Sequence, residues 1–213
     1  MSFDWLLAMF LVASLAPGII LHEVSHGLVA SWFGDPTARE AGRLSLNPIR
    51  HVDPFGTVVL PGLLIGLVAA GVGSGVVFGY AKPVPVSANR LRKPHQHMIW
   101  ISLAGPATNL LLAVLAAVVI RVGAPFGSLR VAQFLGIWIF LNAVLLVINM
   151  LPLPPLDGSS VVARFLPAPA RRAYLAAAPY GMVVFLLLVF IVPGFLLRIV
   201  DPLVDGLLRF LVG

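Results

Sequence analysis

The 213-residue sequence contains no cysteine, which excludes disulfides, thiolate metal sites and a cysteine nucleophile. Charge is scarce as well: charged residues make up 10% of the chain, against about 25% in soluble globular proteins. So few charges cannot cover the surface of a soluble fold of this size. Glutamate is limited to Glu23 and Glu40, and histidine to five positions. What fills the chain instead is apolar, at 60% of residues against about 45–50% usually. These proportions describe an integral membrane protein and exclude disordered, collagen-like and disulfide-scaffold classes. The net charge of +6 does not point to nucleic acid, because the basic residues are scattered through stretches between apolar runs, as in cytoplasmic membrane loops.

The apolar runs divide the chain. A first segment, about Trp5 to Phe33, has no basic residue before it and follows Asp4, so it reads as a retained helix rather than a signal peptide. Pro17 and Gly18 are expected to kink it, and Gly34-Asp35-Pro36 to end it. Further spans are expected at about 98–120, 131–151 and 174–192. Arg198, Asp201, Asp205 and Arg209 form a polar stripe on the last segment, 194–213, which suits a helix lying at the interface. Residues 39–54 read as loop or short strands, since Arg43-Leu44-Ser45-Leu46 alternates in polarity, and residues 80–86 are an extended, proline-rich strand candidate. The expected fold is an all-α polytopic membrane protein, a single domain over 1–213, with about 4–6 transmembrane segments. A membrane-associated β-hairpin or strand region and a re-entrant hairpin complete it.

The chemistry concentrates in His22-Glu23-Val24-Ser25-His26. This is an HExxH motif, whose i, i+4 spacing puts both imidazoles on one helix face, where they can hold one zinc. Glu23 stands beside them as a general base for a water molecule. Three ionisable groups inside an apolar helix are costly without a function. A catalytic zinc site needs a third protein ligand. Glu40, His51, Asp53, His95, His97 and Asp157 are the candidates. Asp157 stands out because it closely follows a span, in Asn149-Met150-Leu151-Pro152-Leu153-Pro154-Pro155-Leu156-Asp157-Gly158, where the prolines open the helix and Gly158 permits a turn. An ordinary Asp-Gly surface turn is the competing reading.

These motifs resemble those of the site-2 protease family of intramembrane zinc metalloproteases. The resemblance rests on HExxH, on Asn149…Pro152…Asp157-Gly158, and on Gly105-Pro106-Ala107-Thr108-Asn109 between them. Arg43-Leu44-Ser45-Leu46-Asn47-Pro48, His51-Val52-Asp53-Pro54 and the stretch 78–86 are similar to a compact bacterial and archaeal subgroup. The resemblance covers about residues 5–182, with neither a PDZ nor a CBS domain. It implies zinc held by His22, His26 and Asp157, Glu23 as general base, and a transmembrane protein or peptide as substrate within the lipid bilayer. A metal-ion transporter or a non-catalytic binding protein is the rival reading. Transport, however, calls for polar residues along a whole path, and here they gather at one end.

Asn149 and Asn109 are the candidate substrate-contacting residues. For Asn109, in a helix lined by Ala104, Gly105 and Ala107, bracing between helices carries more weight. Asn142 lies seven residues before Asn149, on the same face, and reads as an interhelical hydrogen-bonding group. His51 is a candidate to position the site from its loop, but its polar neighbours favour a surface histidine. Topology follows from the metal: His26 and Asp157 must lie at one depth, so an even number of crossings separates them. Spans 98–120 and 131–151 supply two, so residues 55–79, with seven glycines and Pro61, are expected to enter and return. The basic stretches 39–50, 82–93 and 164–172 then share one face. The positive-inside rule makes that face cytoplasmic, in a multi-pass cell-membrane protein whose active site lies toward the cytoplasm.

Overall fold

Asp4 starts the first helix: its carboxylate accepts hydrogen bonds from the backbone amides of Leu6 and Leu7, each at 3.1 Å. In the computed structural model, which describes residues 4–71, 79–122, 128–191 and 194–212, that helix is α1 (Trp5–Trp32). It runs through Pro17 without a break and ends at Gly34, whose φ of 102° disfavours a side chain. Among the described residues, α2 (Thr37–Glu40), α3 (Leu60–Ala69), α4 (Pro94–Val122), α5 (Leu129–Asn149), α6 (Asp157–Phe165), α7 (Ala168–Ala176), α8 (Ala178–Ile191) and α9 (Phe195–Val212) follow.

Helices α1, α4 and α5 are long and apolar enough to cross a membrane, and among the described residues they are the only three. They pack against one another in every pairing. Small residues line the seams: Gly18 and Ala30 on α1 and Gly105, Ala113, Ala116 and Ala117 on α4 are all buried. Small side chains let helix backbones approach closely where lipid offers no hydrophobic drive for association. Large apolar residues such as Met9, Trp100, Leu111 and Val122 point outward, as a lipid-facing surface requires.

Two expectations change, the span at 174–192 and the two strands. The expected span at 174–192 is two helices, α7 and α8, divided at Ala177 because Pro179 lacks the N–H that would continue the first. With 14 residues, α8 is shorter than the roughly 20 that a span needs. Segment 194–213 is helical as expected, and its apolar side packs on α4 and α5 through Val200, Val204, Leu207 and Leu211.

The strands at 43–46 and 80–86 are not formed, and there is no β-strand among the described residues. Both stretches are irregular, because their backbone groups find partners other than a neighbouring strand. The Tyr80 amide donates to the Gly56 carbonyl at 3.0 Å and the Lys82 amide to the His51 carbonyl at 2.9 Å. The Arg43 guanidinium donates to the carbonyls of Arg50 and Lys82. Pro83 and Pro85 have no amide hydrogen to give.

Residues 72–78 of the expected hairpin lie outside the described residues, but the stretches on either side of them meet. Residues Pro54–Val59 form one wide, π-type helical turn that runs into α3. Tyr80 returns to that starting point, with its ring over Gly56 and its carbonyl accepting from Thr57 Oγ1 at 2.9 Å. The two described ends of the segment therefore lie together.

Candidate metal centre

The i, i+4 spacing on α1 stacks His22 and His26 one turn apart, with ring centroids 4.7 Å apart. Both are buried. They face Gly105 of α4, and the fit is close: a Cβ at Gly105 would meet His26 Nε2 at 2.5 Å and strike the His22 ring as well. Glycine at this position is what lets α4 close over the two imidazoles.

Of the six candidate third ligands, Asp157 is the one the fold brings to the histidines. Its Oδ2 lies 3.0 Å from His22 Nε2 and 3.3 Å from His26 Nε2. The ligand atoms of the three residues lie within 4.8 Å of one another, so the group could bind a metal ion. The other candidates do different work. Glu40 pairs with Arg90 at 2.6 Å on the surface. Asp53 caps the turn at Phe55 and Gly56. His97 stacks on Phe33, and His95 is exposed. His51 is buried rather than at the surface, with Nε2 2.7 Å from the Ser45 carbonyl, because the 43–53 stretch folds onto residues 80–84.

Asp157 reaches the site because α5 ends at Asn149 and α6 begins at Asp157 itself. Gly158 acts here by close approach, with no left-handed turn: a Cβ would lie 2.5 Å from the Met150 carbonyl carbon and 2.7 Å from the Leu151 oxygen. The first turn of α6 thus sits directly on the chain leaving α5. Tyr174 fastens the same loop by donating to the Pro152 carbonyl at 2.8 Å.

The hydrogen-bond partners of the rings decide their protonation. His22 Nδ1 lies 2.6 Å from Asn109 Oδ1, and His26 Nδ1 lies 2.5 Å from the Ile101 carbonyl. Both partners are oxygens that can only accept, so each neutral ring carries its proton on Nδ1. Each Nε2 then presents a lone pair, and both aim at Asp157 Oδ2, a buried oxygen with no hydrogen-bond partner. With both rings neutral, three lone pairs converge there without a hydrogen between them, an arrangement that could bind a cation. Two imidazole nitrogens and one carboxylate oxygen suit zinc of the catalytic kind, which keeps one position open.

Glu23 is half-buried beside them, and its Oε2 accepts a hydrogen bond from the Val84 amide at 2.9 Å. This contact was not read from the sequence, although a signal was present: in Pro83-Val84-Pro85 only Val84 has an amide hydrogen. Val84 also packs on α1, where a Cβ at Gly27 would meet its Cγ1 at 2.9 Å. Asn109 is fully buried and touches His22, while its amide nitrogen donates to the Gly18 carbonyl at 3.2 Å and Asn142 Oδ1 at 2.9 Å. Asn149 is half-buried at the end of α5 and donates to the Leu145 carbonyl of its own helix at 2.9 Å.

The chain is similar to known proteins over most of its length. A Bacillus subtilis protein named "Putative zinc metalloprotease YwhC" is 40% identical over 191 residues, which cover 86% of this chain and 81% of that protein. Proteins named "Putative zinc metalloprotease Rip2" from Mycolicibacterium smegmatis and Mycobacterium tuberculosis are each 32% identical, covering 83% and 85% of this chain. The match spans about two thirds of each Rip2 chain, 65% and 66% respectively. No protein-family profile matches the chain. No solved structure matches it either.

Proposed function

The chain belongs to the zinc metalloprotease family of YwhC and Rip2, and from that premise we propose that it is an intramembrane endopeptidase of the site-2 protease type. The observation that carries this reading is the position of His22 and His26. They lie within an apolar helix that packs against two others able to cross a membrane. A hydrolytic centre at that position faces transmembrane segments, so its substrate is a membrane-spanning segment of another protein.

His22, His26 and Asp157 would hold the zinc. When bound, zinc supplies Lewis-acid polarisation of a carbonyl and lowers the pKa of water toward about 7. Glu23 takes the proton from the attacking water and returns it to the leaving amine. The Val84 amide holds the Glu23 carboxylate in place for this work. Asn149, at the end of α5 just before the loop to Asp157, is the candidate contact for the substrate backbone. A helix hides its carbonyls, so the substrate segment partly unwinds before it is cut. The basic stretches 39–50, 82–93 and 164–172 support a cytoplasmic placement of this end of the molecule.

The test is cleavage in proteoliposomes against a panel of single-span membrane proteins, with Glu23→Gln as control. The amide keeps the shape of the side chain but cannot accept the proton. The expected outcome is cleavage by the wild type and a loss of about 10²–10⁴-fold or more in the variant, with zinc retained. Near-normal cleavage by Glu23→Gln would remove Glu23 from this role.

A further inference from the structure

Asn109 can serve His22 in only one of its two amide orientations. With Oδ1 toward the ring it accepts the Nδ1 proton and leaves the Nε2 lone pair for a metal. Turned over, it would offer N–H to Nδ1, and the ring proton would move to Nε2, where the metal must sit. Two acceptors on the amide nitrogen select the first orientation: the Gly18 carbonyl and Asn142 Oδ1. Asn142 is oriented in turn, because its Nδ2 donates to the Trp138 carbonyl at 2.9 Å. Turned over, Asn142 would set its oxygen against that carbonyl and its amide hydrogens against those of Asn109.

The result is a relay with one direction, running from the Trp138 carbonyl on α5 through Asn142, then Asn109 on α4, to His22 on α1. Asn109 and Asn142 are fully buried. In such surroundings a mismatched donor or acceptor costs its full desolvation energy, so the direction is enforced. Gly18 leaves the room this needs, since a Cβ there would lie 3.1 Å from Asn142 Oδ1. We propose that Asn142 is a positioning residue for the metal centre, holding the His22 ring, through Asn109, with its Nε2 lone pair toward the metal. The proposal rests on the zinc-protease reading above. Partners of metal-bound histidines typically change metal affinity about 10–100-fold when removed. Asn142 acts at one further remove.

The experiment measures zinc affinity of the purified full chain in detergent by competition with a chelator, alongside thermal unfolding of the zinc-free protein. Asn142→Leu removes the acceptor, and Asn142→Ala removes it without adding bulk should the leucine variant not fold. Asn142→Asp, in its neutral form, keeps an oxygen toward Asn109 and a donor toward the Trp138 carbonyl. Trp138→Phe deletes a different bond between the same two helices, from Trp138 Nε1 to the Leu112 carbonyl at 3.3 Å. The expected result is a loss of zinc affinity of about tenfold in Asn142→Leu and Asn142→Ala. Asn142→Asp should keep most of the affinity, and Trp138→Phe should lower the unfolding temperature without weakening zinc. Equal affinity in wild type and Asn142→Ala, or an equal loss in Trp138→Phe, would overturn the relay while leaving the zinc-protease reading in place. A wild type that binds no zinc would overturn both.

Discussion

Single atoms at His22, His26 and Asp157 carry the metal chemistry, and their surroundings make two expectations concrete. Purified protein should hold about one zinc per chain, and the double variant His22→Ala, His26→Ala should hold none. Unchanged zinc content would place the ion elsewhere. Gly105 makes a different demand. Replacing it with alanine puts a methyl group into both imidazoles, and α4 must move away from α1 to admit it. Overpacking of this kind costs about 1–3 kcal/mol. Gly105→Ala should therefore lower both the unfolding temperature and the zinc affinity. Gly136→Ala should lower neither, since nothing lies within 4 Å of a Cβ at that glycine and alanine suits a helix interior better. Equal behaviour of the two variants would show that the close approach at Gly105 is unimportant.

Short-range patterns in the sequence read well at the level of elements. HExxH places the two histidines on one helix face, because that depends on local spacing, whereas Asp157 is singled out by its proline-rich loop and named a ligand only through the family resemblance, since its approach to the histidines is long-range. The strands at 43–46 and 80–86 failed for the complementary reason. Alternating polarity and extended prolines are compatible with a strand, but a strand needs a neighbour, and the backbone groups here are held by Arg43, Glu23, His51 and Gly56. The burial of His51 was equally illegible, because it depends on the 43–53 stretch folding over residues 80–84. Asp35 is a further long-range tie. It is fully buried, and it accepts from the Thr37 amide and hydroxyl and, at 2.6 Å, from the Ser87 amide, which pins the 80–90 stretch to the end of α1.

Burial opposes the ionisation of Asp35, but the bonds from Thr37 and Ser87, with Arg90 nearby, outweigh it and hold the carboxyl below the usual range. A carboxyl lowered in the folded state contributes stability above its unfolded pKa of about 3.9 and loses it as pH falls through the folded value. Asp35→Asn should cost roughly 1–3 kcal/mol at neutral pH. The gap to the wild type should narrow below about pH 4, as thermal unfolding in detergent can measure. A gap that stays constant into acid would mean that the charge of Asp35 contributes nothing.

Across the whole molecule, the parity of crossings ties the metal to the topology. Helix α4 runs back beside α1, and α5 beside α4, so the end of α1, the start of α4 and the end of α5 gather at one end of the bundle. Residues 54–80 begin and finish at that same end, since Tyr80 returns to Gly56. Single cysteines at Ser45 and Ser87 should therefore react with a membrane-impermeant reagent from the same side, the cytoplasmic one, and the absence of native cysteine gives a clean background. Reaction from opposite sides would require residues 55–79 to cross, and would contradict the meeting of the two ends.

The run Pro83-Val84-Pro85 has one more consequence. In an extended chain, the N–H and C=O of one residue lie on the same side, and those of the next residue lie on the other. Tyr80, Lys82 and Val84 direct their amides into the protein, so the outward side falls to residues 81, 83 and 85. At 83 and 85 that side offers carbonyl oxygens with no hydrogens to match. A bare strand edge invites identical copies to zip together, and such growth needs donors and acceptors in alternation. This stretch, which forms no strand, cannot reciprocate at 83 and 85, and the two prolines make it a poor seed for aggregation.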